Sequence, residues 1–403
     1  MEGIAGNTQG VDVASPLRTF HIVADLQWLW DSFQSGARLL SGQWDFRHDL
    51  GLWPIPHLGI DEPLWIDPAA LVANNAWRQQ RGLDPIAMLT PPDQWLGGLS
   101  PDLLGRSVRY LSVAEILAMD DFDERLGERP WSQPVEGRIS GFRAARRTLA
   151  QLKHDLRGES SDRTSFAEAH MGSKGMSSQS MVSQRATSPA PPDAMLMVQS
   201  HLPSITEEWM VAIAGGKAFA ASPYCIHSES SGTRVEGSDT GFGNKDSGFG
   251  NKSAAASKPE SIVTIADMAT GLVPPAIRFD KRHREAALDM ATRALQETHA
   301  STNFAGMLNI AFREASSPAI LELTPLWCSG PYGFSPGELA TMLRAVASSR
   351  TSPRAISGLN LRPLVPGSQD QQQGQQQTPA LNDMTVFTAG PWMVQHYAQR
   401  YIR

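Results

Sequence analysis

The chain has 403 residues, of which 41% are hydrophobic, and its formal net charge at neutral pH is −6. This length allows two domains and a sizeable core, and the negative charge argues against nucleic acid as the main partner. No apolar run reaches the roughly 18 residues that a membrane span needs. The first residues, MEGIAGNTQGVDVAS, lack the basic and apolar regions of a signal peptide. Two cysteines, Cys225 and Cys328, form neither a disulfide framework nor a metal-ligand spacing, so we expect a cytoplasmic protein.

Four segments have the composition of disordered chain, because they lack apolar periodicity and are rich in Ser, Gly, Gln or Pro. They are a lead at residues 1–17, inserts at 158–193 and 228–259, and a linker at 350–380. The second insert contains GFGNK twice, for which replication slippage is favoured over a binding role. We therefore expect the ordered structure to lie between these segments.

The first ordered part, residues 18–125, alternates strand-like and helix-like segments, which predicts a small α/β region. Its predicted elements are a strand at 20–24, a helix from Asp25, a helix at 68–81, a strand at 107–111 and a helix at 113–119. A further helix is predicted at 142–157, with leucines on one face and a solvated arginine-rich face opposite.

The second ordered part has the pattern of a hairpin-rich α+β domain. Gly215-Gly216 lies between two alternating runs and predicts a tight hairpin turn. The other predicted elements are a strand at 194–199, a helix at 282–300, a strand at 304–312, a helix at 335–348 and a C-terminal helix at 381–403.

The stretch LELTPLWCSGPYG at 321–333 carries a candidate site, because a strand delivers Glu322 directly into a Pro/Gly loop. The preceding strand contains Asn309, and if the two strands pair, both side chains point into one space. Carboxylate and amide oxygens are ligands for Mg²⁺. The alternatives are that Glu322 is an ordinary surface residue and that Asn309 satisfies backbone groups.

The sequence contains three weaker candidates for functional residues, namely Tyr224, His227 and Cys328. Tyr224 and His227 lie at a strand end that a substrate could pass, although an ordinary structural position is favoured. Cys328 has no histidine nearby in sequence to act as a general base, which argues against a nucleophile.

The order of motifs in the second part resembles the ATP-grasp family, in particular the bacterial and phage clade of carboxylate–amine ligases. The motifs are a hinge-like VQSHL at 198–202, Glu208-Trp209-Met210 with GGKAFAASPY behind it, and the PLWCSGPYG loop. The resemblance covers residues 190–348 well and extends more loosely over 62–140. It implies an α+β (ATP-grasp-like) fold at 126–348, with two α+β lobes clamping a nucleotide, preceded by the smaller α/β N-terminal region.

The resemblance also implies roles for individual residues. The hinge that binds adenine corresponds to Gln199, Ser200, His201 and Leu202. Glu208 corresponds to a nucleotide or substrate contact, Arg138 to a phosphate contact, and Asn309, Glu322 and Thr324 to metal ligands. Arg138 and Glu322 are then the catalytic candidates. ATP and Mg²⁺ are the implied cofactors, and a small carboxylate and an amine are the implied substrates, joined through an acyl phosphate.

Four positions depart from the family pattern and keep other functions open. Gln133 replaces a phosphate-binding lysine, Met210 a basic residue, Asn309 an aspartate and Thr324 an asparagine. Each change weakens the site for phosphate or Mg²⁺, so magnesium is expected to bind weakly or not at all. The alternative to a ligase is a catalytically impaired nucleotide-binding or partner-binding protein that keeps the scaffold. A third possibility is an interaction module without nucleotide affinity.

Overall fold

The computed structural model describes the residues between 17 and 393 with several gaps. The described residues are 17–24, 26–49, 54–55, 58–59, 62–135, 142, 144–158, 189–228, 261–264, 279–314, 316–349, 383–390 and 393. Most of the predicted lead, inserts and linker lies outside them, as does Arg138.

The described elements are helices and mostly antiparallel strands in several sheets, which confirms the predicted α+β class. The strands are β1 (Arg18–Val23), β2 (Trp44–Asp49), β3 (Leu64–Ile66), β4 (Leu89–Thr90), β5 (Val108–Ser112), β6 (Trp131–Pro134), β7 (Ala145–Arg146), β8 (Met195–Gln199), β9 (Ile205–Ala214), β10 (Lys217–Ser228), β11 (Ser261–Thr264), β12 (Gly306–Arg313), β13 (Ser316–Thr324) and β14 (Thr385–Val386). The helices are α1 (Gln27–Arg38), α2 (Pro68–Gln80), α3 (Pro101–Leu104), α4 (Val113–Ala118), α5 (Leu149–Leu156), α6 (Arg282–Glu297) and α7 (Pro336–Ser348).

The N-terminal region is a parallel three-stranded sheet in the order β2-β1-β3, in which α1 connects β1 to β2 and α2 follows β3. Helix α2 begins where the sequence predicts. Asp67 accepts a hydrogen bond from the backbone N–H of Ala69, and Pro68 occupies the first helical position. This parallel arrangement agrees with the α/β pattern of the sequence.

A four-stranded sheet follows in the order β5-β8-β6-β7, with α4 and α5 packed on it. Its first strand, β5, comes from residues before 126, so the sheet draws on both predicted regions. The predicted domain limits themselves stay a prediction. Strand β8 leads through residues 200–204 into β9 of the next sheet.

The helix predicted at 142–157 is wrong in its first half. Ala145 and Arg146 form β7 and pair with β6, and the helix begins only after Thr148. Thr148 and Gln151 form a reciprocal capping box, a strong local start signal. Arg147 is buried rather than solvated and donates to Asp155, so the arginines do not form one basic face.

The five-stranded sheet has the order β11-β10-β9-β12-β13 and is antiparallel throughout. Residues of β9 point alternately to its two faces. Trp209 and Val211 pack in the cluster that contains the apolar side of α6, whereas Met210 and Ala212 pack toward the N-terminal region and α7. Both faces of this sheet are therefore covered over much of its area.

The C-terminal helix predicted at 381–403 does not start as predicted. Thr385 and Val386 instead form β14, which pairs with Thr90 and Leu89. Residues 394–403 lie outside the described residues. No helix in the described part of the chain is long and apolar enough to cross a bilayer.

The N-terminal region is joined to the rest of the protein through a close contact of α1 with α7. A Cβ added at Gly36 would lie 2.6 Å from Leu339 Cβ and 2.9 Å from the backbone nitrogen of Ala340. Since atoms near the helix backbone cannot swing away, only glycine allows this approach.

We expect Gly36→Ala to lower the free energy of unfolding by about 1–3 kcal/mol, because overpacking outweighs the gain in helix propensity. Urea denaturation measures this change. Gly42→Ala is the matched control, since no atom lies within 4 Å of its added Cβ. Equal stability of the two variants would contradict the close contact.

Candidate functional site

A buried arginine, Arg106, connects the four-stranded sheet to the five-stranded sheet. Its Nε donates to Gln199 Oε1 at 2.6 Å, at the end of β8. Its Nη1 donates to the carbonyls of Leu104 (2.8 Å) and Ile320 (2.5 Å), and its Nη2 to that of Leu321 (2.9 Å). All three guanidinium nitrogens are thus engaged, and the predicted hinge is held against β13.

Strand β13 lies at the edge of its sheet and contains a β-bulge, and both features leave backbone carbonyls without partners in the sheet. Asn309 pairs with Glu322, but the next residue, Ile310, pairs with Ile320, so Leu321 has no opposite residue. Bulges disrupt the ladder locally and leave backbone groups that need other partners. Burial lowers the pKa of Arg106 to about 10, while Tyr110 and Glu322 favour its charged form. Arg106 therefore remains a cation at neutral pH.

Glu208 lies at the centre of a polar group on the β9 face that also carries Met210. Its Oε1 is 2.7 Å from His227 Nε2, and its Oε2 accepts from Asn309 Nδ2 at 2.7 Å. Cys225 Sγ lies 3.8 Å from the same histidine nitrogen. We call these four residues, Glu208, Cys225, His227 and Asn309, the Glu208 cluster. Both carboxylate oxygens of Glu208 are thus occupied inside the cluster.

A second bulge assembles the Glu208 cluster. Pro223 pairs with Trp209, but the next residue of β9, Glu208, pairs with Cys225, so Tyr224 is the extra residue. Without that extra residue, Cys225 would point to the opposite face of the sheet. His227 is two residues further along the strand and therefore shares the face of Cys225. Bulges of this kind often redirect side chains beside functional sites.

Two of the predicted magnesium ligands, Asn309 and Glu322, are directly opposite one another in the register, as the sequence predicts. Thr324 lies on the same face, two residues beyond Glu322. However, its Oγ1 lies 3.1 Å from Ser329 Oγ and 3.4 Å from the carbonyl of Met307. Asn309 is 2% exposed and its Nδ2 is bound to Glu208. One carboxylate and two neutral oxygens, that of a buried amide and that of a hydroxyl hydrogen-bonded to Ser329, do not fit Mg²⁺, which prefers several hard anionic oxygens.

The loop that follows β13 packs against the N-terminal region. Trp65 Nε1 donates to the carbonyl of Ser329, and Trp327 Nε1 donates to that of Leu89, both at 2.8 Å. Tyr332 has a positive φ of 40° and contacts Tyr224 edge to face at 5.3 Å. Burial raises the pKa of Tyr332. The aromatic residues of this loop therefore serve packing.

Cys328 is not a candidate nucleophile. Its Sγ donates to the carbonyl of Pro325, and burial raises the pKa of its thiol. A thiol that stays protonated is a poor nucleophile. This agrees with the absence of a general base near it in sequence.

Four further positions named from the sequence remain to be placed, namely Met210, Gln133, Leu202 and Arg138. Met210 is buried in the core between the five-stranded sheet and the N-terminal region, and Gln133 Oε1 accepts from Trp131 Nε1. Neither position offers a charge to a phosphate. Leu202 packs with Ala311 and Ala319, next to the hinge. The proposed phosphate contact, Arg138, lies outside the described residues, so its role stays a prediction.

Three residues of the site were not predicted from the sequence. Arg106 ends the stretch PPDQWLGGLSPDLLGR at 91–106, which belongs to the looser part of the resemblance and implies no role for it, and its buried fork of hydrogen bonds reveals that role. Cys225 has no metal-ligand spacing, because its partner Glu208 is on a neighbouring strand. His227 was considered only as a strand-end position. The Cys-x-His spacing at 225–227 was the one available signal.

Comparison with known proteins gives similarity in fold only. No family model matches this chain, and no curated protein sequence matches it. D-alanine–D-alanine ligase from Bacillus anthracis is 9% identical with a TM-score of 0.40, over 82% of this chain and 97% of that chain. D-cycloserine synthetase DcsG is 12% identical with a TM-score of 0.42, over 82% and 98%. ATP-grasp ligase PsnB, solved with its minimal precursor, Mg and ADP, is 13% identical with a TM-score of 0.35, over 83% and 99%.

One of these structures is described as an ATP-grasp ligase, the family whose motifs the chain resembles. The matches extend over nearly the whole of each solved chain. At these identities and TM-scores nothing about chemistry follows from them. The chemistry of this chain has to be argued from its own residues.

We expect Arg106→Lys to lower the free energy of unfolding by about 2–4 kcal/mol, because a lysine cannot serve Gln199 and three carbonyls together. Urea denaturation measures the loss. Arg109→Lys is the matched control, since Arg109 is 55% exposed and pairs with Asp123 at the surface. The arginine has no connecting role if Arg106→Lys is as stable as the control.

Proposed function

We propose that this protein is an ATP-grasp-like nucleotide-binding protein whose nucleotide binding does not depend on magnesium. The nucleotide lies between the four-stranded and five-stranded sheets, with the hinge residues 199–202 beside the adenine. In this proposal Glu208 lies on the face of the five-stranded sheet that binds the nucleotide, and Glu322 faces the phosphates. The observation that carries the proposal is the hinge itself, which connects two α+β units and is locked to both by Arg106.

Three features of the chain support this function. The motifs from 190 to 348 occur in the order that the ATP-grasp family has. Two separate sheets are joined through a short segment, and small-ligand sites occur preferentially between such units. Leu202 adds apolar surface next to the hinge polar groups, the combination typical of small-ligand sites.

Independence from magnesium follows from the donor set. A magnesium site needs several anionic oxygens, but only Glu322 among the three predicted ligands carries a charge. The other two are neutral: the amide oxygen of Asn309 is buried, and the hydroxyl of Thr324 is hydrogen-bonded to Ser329. Binding therefore rests on hinge contacts and on cationic residues.

A second candidate function is ATP-dependent joining of a carboxylate to an amine. The observation that favours it is Glu322, which is only partly buried, lies opposite Asn309 and interacts electrostatically with Arg106. A single retained carboxylate can position a ligand. Turnover would then be slow, because the charge that develops during phosphoryl transfer is poorly balanced.

Isothermal titration of ATP into the full chain, with and without Mg²⁺, tests the proposal. We expect micromolar binding that magnesium changes less than about threefold, which is below 1 kcal/mol. Binding that needs magnesium, together with phosphate release in the presence of small acids and amines, would favour the ligase. Absence of binding under both conditions would refute a nucleotide site.

The double variant Asn309→Asp, Thr324→Asn restores the metal-ligand pattern of the resembled family. We expect magnesium to strengthen ATP binding by it about tenfold, a gain of about 1.4 kcal/mol. Without magnesium its melting temperature should fall, because the substitution at Asn309 places a second carboxylate beside Glu208. Asn303→Asp, an exposed turn position, is the control for added charge. An unchanged magnesium response of the double variant would mean that this face does not meet the phosphates.

A further inference from the structure

We infer that Glu208, Cys225 and His227 form a binding site for a zinc ion. The three side chains each present one ligand atom, and these atoms all lie within 4.8 Å of one another. They come from two adjacent strands of one sheet, which hold them more rigidly than loops would. This site is separate in chemistry from a magnesium site, because it contains sulfur and nitrogen.

One distance between ligand atoms is close to that of a tetrahedral zinc site. Zinc–nitrogen and zinc–sulfur bonds of about 2.0 and 2.3 Å give a nitrogen-to-sulfur edge of about 3.5 Å. The observed separation of Cys225 Sγ and His227 Nε2 is 3.8 Å. His227 Nε2 and Glu208 Oε1 are 2.7 Å apart, so this edge has to open by roughly 0.7 Å to its tetrahedral length of about 3.4 Å when the metal binds.

Charge and burial favour a divalent cation at this place. Cys225 is 3% exposed and Glu208 is 9% exposed, so both ligands are largely removed from water. Binding of Zn²⁺ would displace the proton of the Cys225 thiol, and the metal would then neutralise a thiolate and a carboxylate together. Buried anionic groups are stable when they are paired or when they coordinate a metal.

The side chain of Asn309 gives independent support for a metal at the Glu208 cluster. Its Nδ2 donates to Glu208 Oε2, which orients the carboxylate as an outer-shell partner does in metal sites. Its Oδ1 is fully buried and has no hydrogen-bond partner among the described residues. A buried acceptor left without a donor is unfavourable, because nothing replaces its lost hydration. A water bound to the zinc would supply that donor.

The chemistry of the ligands selects zinc over the metals of nucleotide sites. Thiolate and imidazole are poor ligands for Mg²⁺ and Ca²⁺ but good ones for Zn²⁺. Three protein ligands leave one tetrahedral position open, which is the arrangement of catalytic rather than closed structural zinc sites. The site could therefore hold a water or an anionic group of a ligand at that position.

The zinc site and the nucleotide proposal share Glu208 but can be tested apart. Zinc binding requires no nucleotide, and ATP titration can be done on protein treated with a chelator. Failure of ATP binding would leave the zinc site standing, and failure of zinc binding would leave the hinge standing.

The experiment uses the full chain after removal of metal by a chelator. Zn²⁺ affinity is measured by competition with a chromophoric chelator, and Co²⁺ is added as a spectroscopic probe. We expect one zinc per chain and a near-ultraviolet charge-transfer band of a cobalt–thiolate bond. Cys225→Ser should remove that band and weaken zinc binding by more than about a hundredfold. Asn309→Leu should weaken it by roughly 10- to 100-fold, the usual effect of losing an outer-shell partner.

The chain provides matched controls for both ligand types. Cys328→Ser removes the other cysteine, and His154→Gln removes an exposed histidine on α5. Both should bind zinc and cobalt as the natural chain does. Circular dichroism of each metal-free variant shows whether it is folded. If Cys225→Ser or Asn309→Leu does not fold, Glu208→Gln, which keeps an acceptor oxygen, is tested in its place. Equal zinc affinity of Cys225→Ser and Cys328→Ser, or a cobalt band that survives Cys225→Ser, would overturn the proposal.

Discussion

The buried guanidinium of Arg106 is the interaction on which the arrangement of the two sheets depends. It donates to the side chain at the end of β8 and to carbonyls of α3 and β13 at the same time. Those β13 carbonyls are available because β13 is the edge strand and because a bulge interrupts its ladder with β12. A buried cation with every nitrogen engaged tolerates little displacement, since each lost bond leaves an unsatisfied group. The hinge and the polar face of the five-stranded sheet are therefore held in one geometry.

Two bulges in the same sheet set the chemistry of that face. The bulge at Leu321 gives Arg106 its acceptors, and the bulge at Tyr224 turns Cys225 and His227 toward Glu208. The face consequently has few hard anionic oxygens for magnesium but a compact set of oxygen, sulfur and nitrogen ligands. Oxygen, sulfur and nitrogen ligands of this kind favour a softer metal than magnesium.

Local signals in the sequence predicted most elements of the fold. Asp67 and Pro68 mark the start of α2, and Gly215-Gly216 marks the turn between β9 and β10, because their backbone preferences act over a few residues. The helix predicted at 142–157 is wrong in its first half, because the helical spacing of apolar residues continues across β7, a strand that forms only by pairing with β6. Likewise, β14 exists through its pairing with β4, a partner almost 300 residues away in the chain.

The sequence by itself determined the α+β class, the hairpins and the opposition of Asn309 and Glu322, because alternation and turn residues specify which side chains share a face. It also showed that a magnesium site of the resembled family is depleted, since ligand chemistry can be read from residue type. Tertiary structure alone decided the rest. A bulge shifts the register by one residue without a distinct sequence signal, and a buried arginine gains its role from carbonyls more than 200 residues away. The fork of Arg106 and the meeting of Glu208, Cys225 and His227 are for this reason properties of the folded sheets.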